Sequence, residues 1–340
     1  MDLRPLLPLT LMLLFACGGV EPSELAGDPA SASAEAVELA ALGGAALVPM
    51  TPCPTSGEGA LLAPATCVVF TPAEAGSGPD GENADSLQYA LEPAGAARGQ
   101  LLVYLNASGS SPGRQIADPT LNFYDAGASG GLHVLALAYR SDAVLGLVCG
   151  DDGACYGAAR AAVLTGAAAP GTPARLADIV EDEGVLFRLD AALRLLAARR
   201  PGRGWGRFLA NSGAATPAER IAWPRLLVAG HSQGGGHAAF LGTRYPVHRV
   251  IQLASTCDAA LGAPAPWTHS DGTWATDPAA RYFGLAVARD AICSAHAAVW
   301  QVMGMDPARQ DDAAAACSGG AHGGPIFCTE NYPRWVQLLQ

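Results

Sequence analysis

No lysine occurs in this chain of 340 residues; all 20 basic residues are arginine. A guanidinium stays protonated at any ordinary pH. Schiff-base catalysis and the phosphate-binding lysine of a Walker-type loop are therefore excluded. A coding bias toward arginine accounts for the imbalance. Positive charge is also outweighed, with a formal net charge of -11. Such a chain repels phosphate backbones, which argues against nucleic-acid binding. No Cys-x-x-Cys or His-x-x-x-His spacing offers a metal site. No glycine-rich stretch sits between a strand and a helix as a dinucleotide loop would. No metal and no cofactor are expected, and no internal repeat is evident.

Long apolar runs are missing too. Arg4 precedes an apolar stretch, Leu6 to Phe15, that is too short to span a bilayer as a helix. It ends in Leu14-Phe15-Ala16-Cys17, which resembles a bacterial lipobox. That resemblance implies a signal peptide over 1–17 and lipidation of Cys17 as the first mature residue. An ordinary cleaved signal peptide is the alternative, and either one exports the chain. The expected location is the bacterial cell envelope, as a membrane-anchored lipoprotein, or else secretion. Residues 18–50 are rich in Ala, Glu, Gly and Pro and read as a flexible tether.

Nine cysteines fit an exported chain. With Cys17 set aside, Cys53, Cys67, Cys149, Cys155, Cys257, Cys293, Cys317 and Cys328 remain, an even set that reads as disulfides. Pairing sequence neighbours gives Cys53–Cys67, Cys149–Cys155 and Cys317–Cys328, and leaves Cys257–Cys293.

The folded part is expected over 51–340. Half the residues are hydrophobic, but many are alanine, so bulky side chains concentrate in a few runs. Cys67 to Phe70 and Ser86 to Leu91 read as short antiparallel strands. Leu101–Leu105, His133–Tyr139, Leu226–Ala229, Val250–Ser255 and Tyr282–Ala288 are apolar on both faces, as strands inside a parallel sheet are. Leu186, Leu189, Leu193 and Leu196 make one helical stripe that stops at Pro201-Gly202. Strands alternating with helices mean an α/β fold with a mostly parallel central sheet flanked by helices. Residues 141–184 are longer than a crossover needs and could form a cap insertion.

Two stretches match G-x-S-x-G: Gly127–Gly131 around Ser129, and Gly230-His-Ser-Gln-Gly234 around Ser232. Context separates them. Ser232 follows a buried strand and precedes a helix-like stretch, Gly235 to Arg244; Ser129 precedes its strand. A tight strand–turn–helix lifts a serine hydroxyl clear of the sheet and needs small neighbours two residues away on either side. Gly230 and Gly234 supply them, and Gly235 and Gly236 would let the helix pack closely on the sheet.

The stretch Arg225 to Gly242, R-L-L-V-A-G-H-S-Q-G-G-G-H-A-A-F-L-G, resembles the nucleophile region of the α/β-hydrolase superfamily. Its G-H-S-Q-G-G-G-H-A-A variant is similar to a poorly characterised group of bacterial secreted hydrolases. The resemblance implies the chain order serine, acid, histidine. His322, in the glycine-rich stretch Gly319–Gly324 read as a flexible loop, fits as base. His133 and His231 precede the serine. His237, His248, His269 and His296 fit less well by position. The resemblance favours Asp290 as the acid, after the second strand beyond the nucleophile, with Asp258, after the first such strand, as the alternative. The oxyanion hole would take the backbone N–H of Gln233 and that of Ser108, with Ala107 next. The superfamily usually shows His-Gly at that loop, and Asn106-Ala107 departs from it. Pro264–Trp267 and Trp274 could line a substrate pocket or simply stiffen a loop.

The expected activity is hydrolysis of small-molecule or lipid carboxylic esters through an acyl-enzyme. A peptidase or lipase would share the apparatus, and a non-catalytic surface binding protein on the same scaffold is the competing class. Mass spectrometry of the mature N-terminus is expected to find a diacylated Cys17; a free amine at another residue would refute the anchor.

Overall fold

A computed structural model describes residues 49–61, 66–78, 86–314, 317 and 319–340. Cys17, the apolar leader and the tether up to residue 48 lie outside the described residues.

The centre is a nine-stranded sheet, ordered β1-β2-β3-β5-β4-β6-β7-β10-β11. The strands are β1 (Thr51–Pro52), β2 (Cys67–Phe70), β3 (Gln88–Leu91), β4 (Leu101–Leu105), β5 (His133–Leu137), β6 (Leu226–His231), β7 (Arg249–Leu253), β10 (Tyr282–Ala286) and β11 (Gln310–Asp312). β8 (Ala259–Ala260) and β9 (Ala263–Pro264) form a separate hairpin. From β5 to β11 every neighbouring pair is parallel, whereas β1, β2 and β3 pair antiparallel. The sheet is thus mostly parallel with an antiparallel edge. Among the described residues no helix is long and apolar enough to cross a membrane.

The continuous apolar runs are explained by burial on both faces. Leu101, Val103 and Leu105 enter one core with Leu135, Leu226 and Val228. Leu102 and Tyr104, one residue out of step, enter the other with Val134, Leu227 and Ile251. The first core is closed by α3 (Gly153–Thr165), α4 (Val185–Arg199), α5 (Gln233–Arg244) and α6 (His296–Met303). The second is closed by α1 (Phe123–Ser129), α7 (Gly320–Phe327) and α8 (Tyr332–Leu338). A short helix, α2 (Leu145–Cys149), precedes α3. The region 141–184 therefore contributes α3 to the helical layer, through Tyr156, Ala159 and Val163.

The leucine stripe forms α4 as expected, ending at Arg199, with Leu189, Leu193 and Leu196 fully buried. Strand boundaries differ by a few residues: β5, β7 and β10 stop before Ala138, Ala254 and Val287. One element differs in kind. Gly319–Gly324 reads as a loop by composition, yet Gly320–Phe327 is helical. The Cys317–Cys328 disulfide brackets the segment. Closing so short a loop removes most of the freedom that its glycines would otherwise bring.

All four disulfides join the pairs that sequence adjacency suggests: Cys53–Cys67, Cys149–Cys155, Cys257–Cys293 and Cys317–Cys328.

Burial decides which leucines matter. Leu193→Ala removes a fully buried side chain and is expected to cost about 2–5 kcal/mol. Leu147→Ala, at a residue 82% exposed, is expected to stay within about 0.5 kcal/mol of wild type. Urea midpoints of the two variants check both values.

Candidate active site

The C-terminal ends of the parallel strands carry the site. β6 ends at His231, and Ser232 turns the chain at φ 53, ψ -122 before α5 begins at Gln233. A side chain in this region costs on the order of 1–3 kcal/mol, so surrounding contacts must hold it there. Ser232 N–H still donates to Leu253 O of β7, at 2.9 Å. The flanking glycines make the turn possible. A Cβ on Gly230 would lie 2.3 Å from the carbonyl carbon of Gly234, and one on Gly234 would lie 2.1 Å from Leu105 O. Gly235 faces Ser255, just beyond β7. Gly236 does not serve sheet packing as the sequence suggested: its missing Cβ leaves room for the guanidinium of Arg160, on α3.

His322 Nε2 lies 2.8 Å from Ser232 Oγ, and its Nδ1 lies 2.6 Å from Asp290 Oδ2. A carboxylate only accepts, so Nδ1 carries the proton and Nε2 is left to accept from the serine hydroxyl. Asp290 is buried, and its other oxygen accepts from the N–H groups of Ile292 and Cys293, at 2.9 and 3.1 Å. Its orientation is thus fixed from both sides. Ser232 and His322 are half-buried and Asp290 is not, so the hydroxyl end of the chain of hydrogen bonds meets solvent.

The other candidates stand elsewhere. Asp258 is buried against Arg160, which donates Nε–H and Nη2–H to its two oxygens, each at 2.6 Å. Trp267 Nε1–H donates to the same carboxylate at 2.8 Å, so this tryptophan braces a loop. Trp274 packs on Tyr282. Ser129 sits on α1, 3.5 Å from Asp125. His237 is buried against Tyr139, His133 against Trp205 and Phe208, and His296 Nδ1 lies 2.7 Å from Cys293 O.

The loop after β4 is braced by Asn106. Asn106 Nδ2 donates to Ala107 O, Ser110 O and Ser141 Oγ, and Tyr139 O–H donates to Asn106 O at 2.6 Å. Gly109 and Ser110 N–H donate to Ser141 O and Ala107 O. The N–H groups of Ala107 and Ser108 have no partner among the described residues. Gln233 N–H opens α5, with no preceding turn to accept it. Leu105 and Asn106 lie against Gly234, which brings this loop beside the start of α5. Free donors at one place are what a developing oxyanion requires.

Sequence reading passed over His231. Its Nε2–H donates to His322 O at 2.9 Å, and its Nδ1 faces the Gln115 side chain at 3.2 Å. The residue holds the backbone of the histidine that faces Ser232. A period-2 reading of β6 would have found it, because Leu227, Ala229 and His231 share a face. Among the described residues no group of three His, Cys, Asp or Glu is placed to hold a metal ion.

No family model matches the sequence. No curated protein matches it either. Solved structures do match in outline. A mutant of the esterase E40 is 14% identical, with 91% of this chain and 89% of that chain covered and a TM-score of 0.40. A mutant of the esterase Est22 is 13% identical, with 92% and 87% covered and a TM-score of 0.42. Likeness this distant leaves the chemistry to be read from the site's own geometry.

Burial pushes the His231 imidazolium down to about 4. His237, His133 and His248 are also lowered, all chiefly by burial. An unfolded imidazole titrates near pH 6.5, so between about pH 4 and 6.5 the unfolded chain binds more protons. Stability is therefore complete above that window and falls as pH drops through it. His231 alone contributes on the order of 3 kcal/mol. Urea midpoints are expected to fall steadily from pH 7 to 4.5, and His231→Gln to flatten the slope; parallel slopes would exclude His231 as a source.

Proposed function

We propose that this chain is a serine hydrolase of carboxylic esters, of the α/β-hydrolase type, exported and held at the cell envelope by a lipid on Cys17. One observation carries the catalytic part: the unbroken run Ser232 Oγ, His322 Nε2, His322 Nδ1, Asp290 Oδ2, on a hydroxyl raised by a positive-φ turn. A serine hydroxyl is a weak nucleophile until a base takes its proton, and an imidazole is an effective base only when held in the right tautomer.

As Ser232 Oγ attacks the ester carbonyl, its proton passes to His322 Nε2. Asp290 steadies the imidazolium without itself becoming protonated. The tetrahedral oxyanion meets the N–H of Gln233 and that of Ser108 or Ala107. Collapse expels the alkoxide, which takes the proton from Nε2 and leaves Ser232 acylated. Water then repeats the sequence, its proton going to His322, and releases the acid and the free serine.

The export part rests on the sequence. Disulfides are kept in oxidising compartments, and the lipobox-like Cys17 agrees with that. The substrate is a small-molecule or lipid ester, with its acyl length open.

A fluorophosphonate probe is expected to label wild-type protein at Ser232 and to leave Ser232→Ala unlabelled, while Ser129→Ala labels normally. On a chromogenic ester panel of varied acyl length, Asp290→Asn is expected to lose about 10⁴-fold in kcat. Wild-type protein that neither takes the probe nor cleaves any ester would refute the proposal in favour of a non-catalytic binding protein.

A further inference from the structure

Arg160 is a buried cation with no part in the proton relay. Its side chain and that of Asp258 are 1% and 3% exposed. The two-oxygen pairing with Asp258 leaves Nη1–H, which donates to Gln233 O at 3.1 Å. The guanidinium also lies along the first turn of α5, where a Cβ on Gly236 would come 2.1 Å from Nη2. Trp267 covers the pair, with Arg160 5.4 Å from its ring centroid and its Nε1–H on Asp258.

This arrangement opposes stability twice. Burying an ion pair is costly, and an apolar pair of similar volume often serves folding better. A cation beside a helix N-terminus also faces the positive end of the helix dipole. Its place, however, is beside the first turn of α5, the turn that carries Gln233. The positive group faces the start of α5, and the carboxylate is turned toward Trp267. Gln233 is moreover gripped at two points, its carbonyl by Arg160 and its Oε1 by the N–H of Leu145, at 3.0 Å. Gln233 is the residue whose N–H is assigned to the oxyanion.

We propose that Arg160, held by Asp258, is a positioning residue for the oxyanion hole: it fixes the Gln233 backbone and directs positive potential at the site where the tetrahedral oxygen forms. This inference rests on the esterase reading above. It gives Asp258, which sequence order allowed as the triad acid, a different task, and it accounts for the third glycine of the Gly234-Gly-Gly236 run. The interaction matters in the transition state more than in the bound ester, so its loss should appear in kcat and not in KM.

The test uses full-length protein, the fluorophosphonate probe and a chromogenic ester. Wild-type labelling and turnover come first; their absence removes the esterase reading, and this one with it. Given an active wild type, Arg160→Lys and the charge-free double variant Arg160→Met/Asp258→Leu are compared by kcat, KM and urea midpoint. The expected result is kcat lowered about 10- to 100-fold at near-constant KM, with the lysine variant the more active. The double variant is expected to keep a near-wild-type urea midpoint, because a purely structural pair would be replaced well by apolar volume. A folded double variant with wild-type kcat overturns the proposal. Should the double variant not fold, Arg160→Lys decides alone: unchanged kcat overturns the proposal, and reduced kcat at constant KM supports it.

Discussion

The site depends on one backbone constraint: Ser232 is held at positive φ between a strand and a helix that touch almost without intervening atoms. A serine would leave that conformation if it could. It cannot, because Gly230 meets Gly234, Gly234 meets Leu105 and Asn106, and Ser232 N–H remains bonded to β7. The same crowding that enforces the strain raises the hydroxyl, points the start of α5 at the space before it, and brings the loop after β4 alongside. Substitutions that relieve the crowding would therefore disturb the Ser232 hydroxyl and the backbone N–H groups beside it together.

Around that turn, each polar partner is fixed by a further contact of its own. Asp290 is held by two backbone N–H groups, His322 by the His231 imidazole on its carbonyl, and Asn106 by its own loop. The disulfides add to this framework. Cys257–Cys293 joins the loop bearing Asp258 to the loop bearing Asp290, and Cys317–Cys328 brackets the helix bearing His322. Burial keeps His231 neutral through the physiological range, so a second imidazole beside His322 adds no competing charge.

Much of this architecture is legible in the residues. Runs apolar on every position mark strands with two covered faces, and β4 was found at Leu101–Leu105 without error. Of the two G-x-S-x-G serines, Ser232 follows a strand, as the sequence implies, and Ser129 ends a helix. Composition misled at Gly319–Gly324, because a disulfide supplies order that glycine alone does not. Chain order favours Asp290 over Asp258 but does not show what occupies Asp258. The difference lies in Arg160, 98 residues from Asp258 in sequence and beside it in space. Pairwise partners at such separations leave no local trace. The third glycine was visible but misassigned, since its neighbour is that same distant arginine.

The borders of the sheet have their own consequence. Among the described residues it ends on one side in Thr51–Pro52, two residues long, with a proline that has no N–H to offer. On the other, among the described residues, it ends in Gln310–Asp312, three residues long, with Asp311 lying 3.4 Å from the Arg334 guanidinium. A sheet this broad would otherwise present long templates for a further chain, but short strands on both rims, and a proline on one, disfavour strand-to-strand polymerisation.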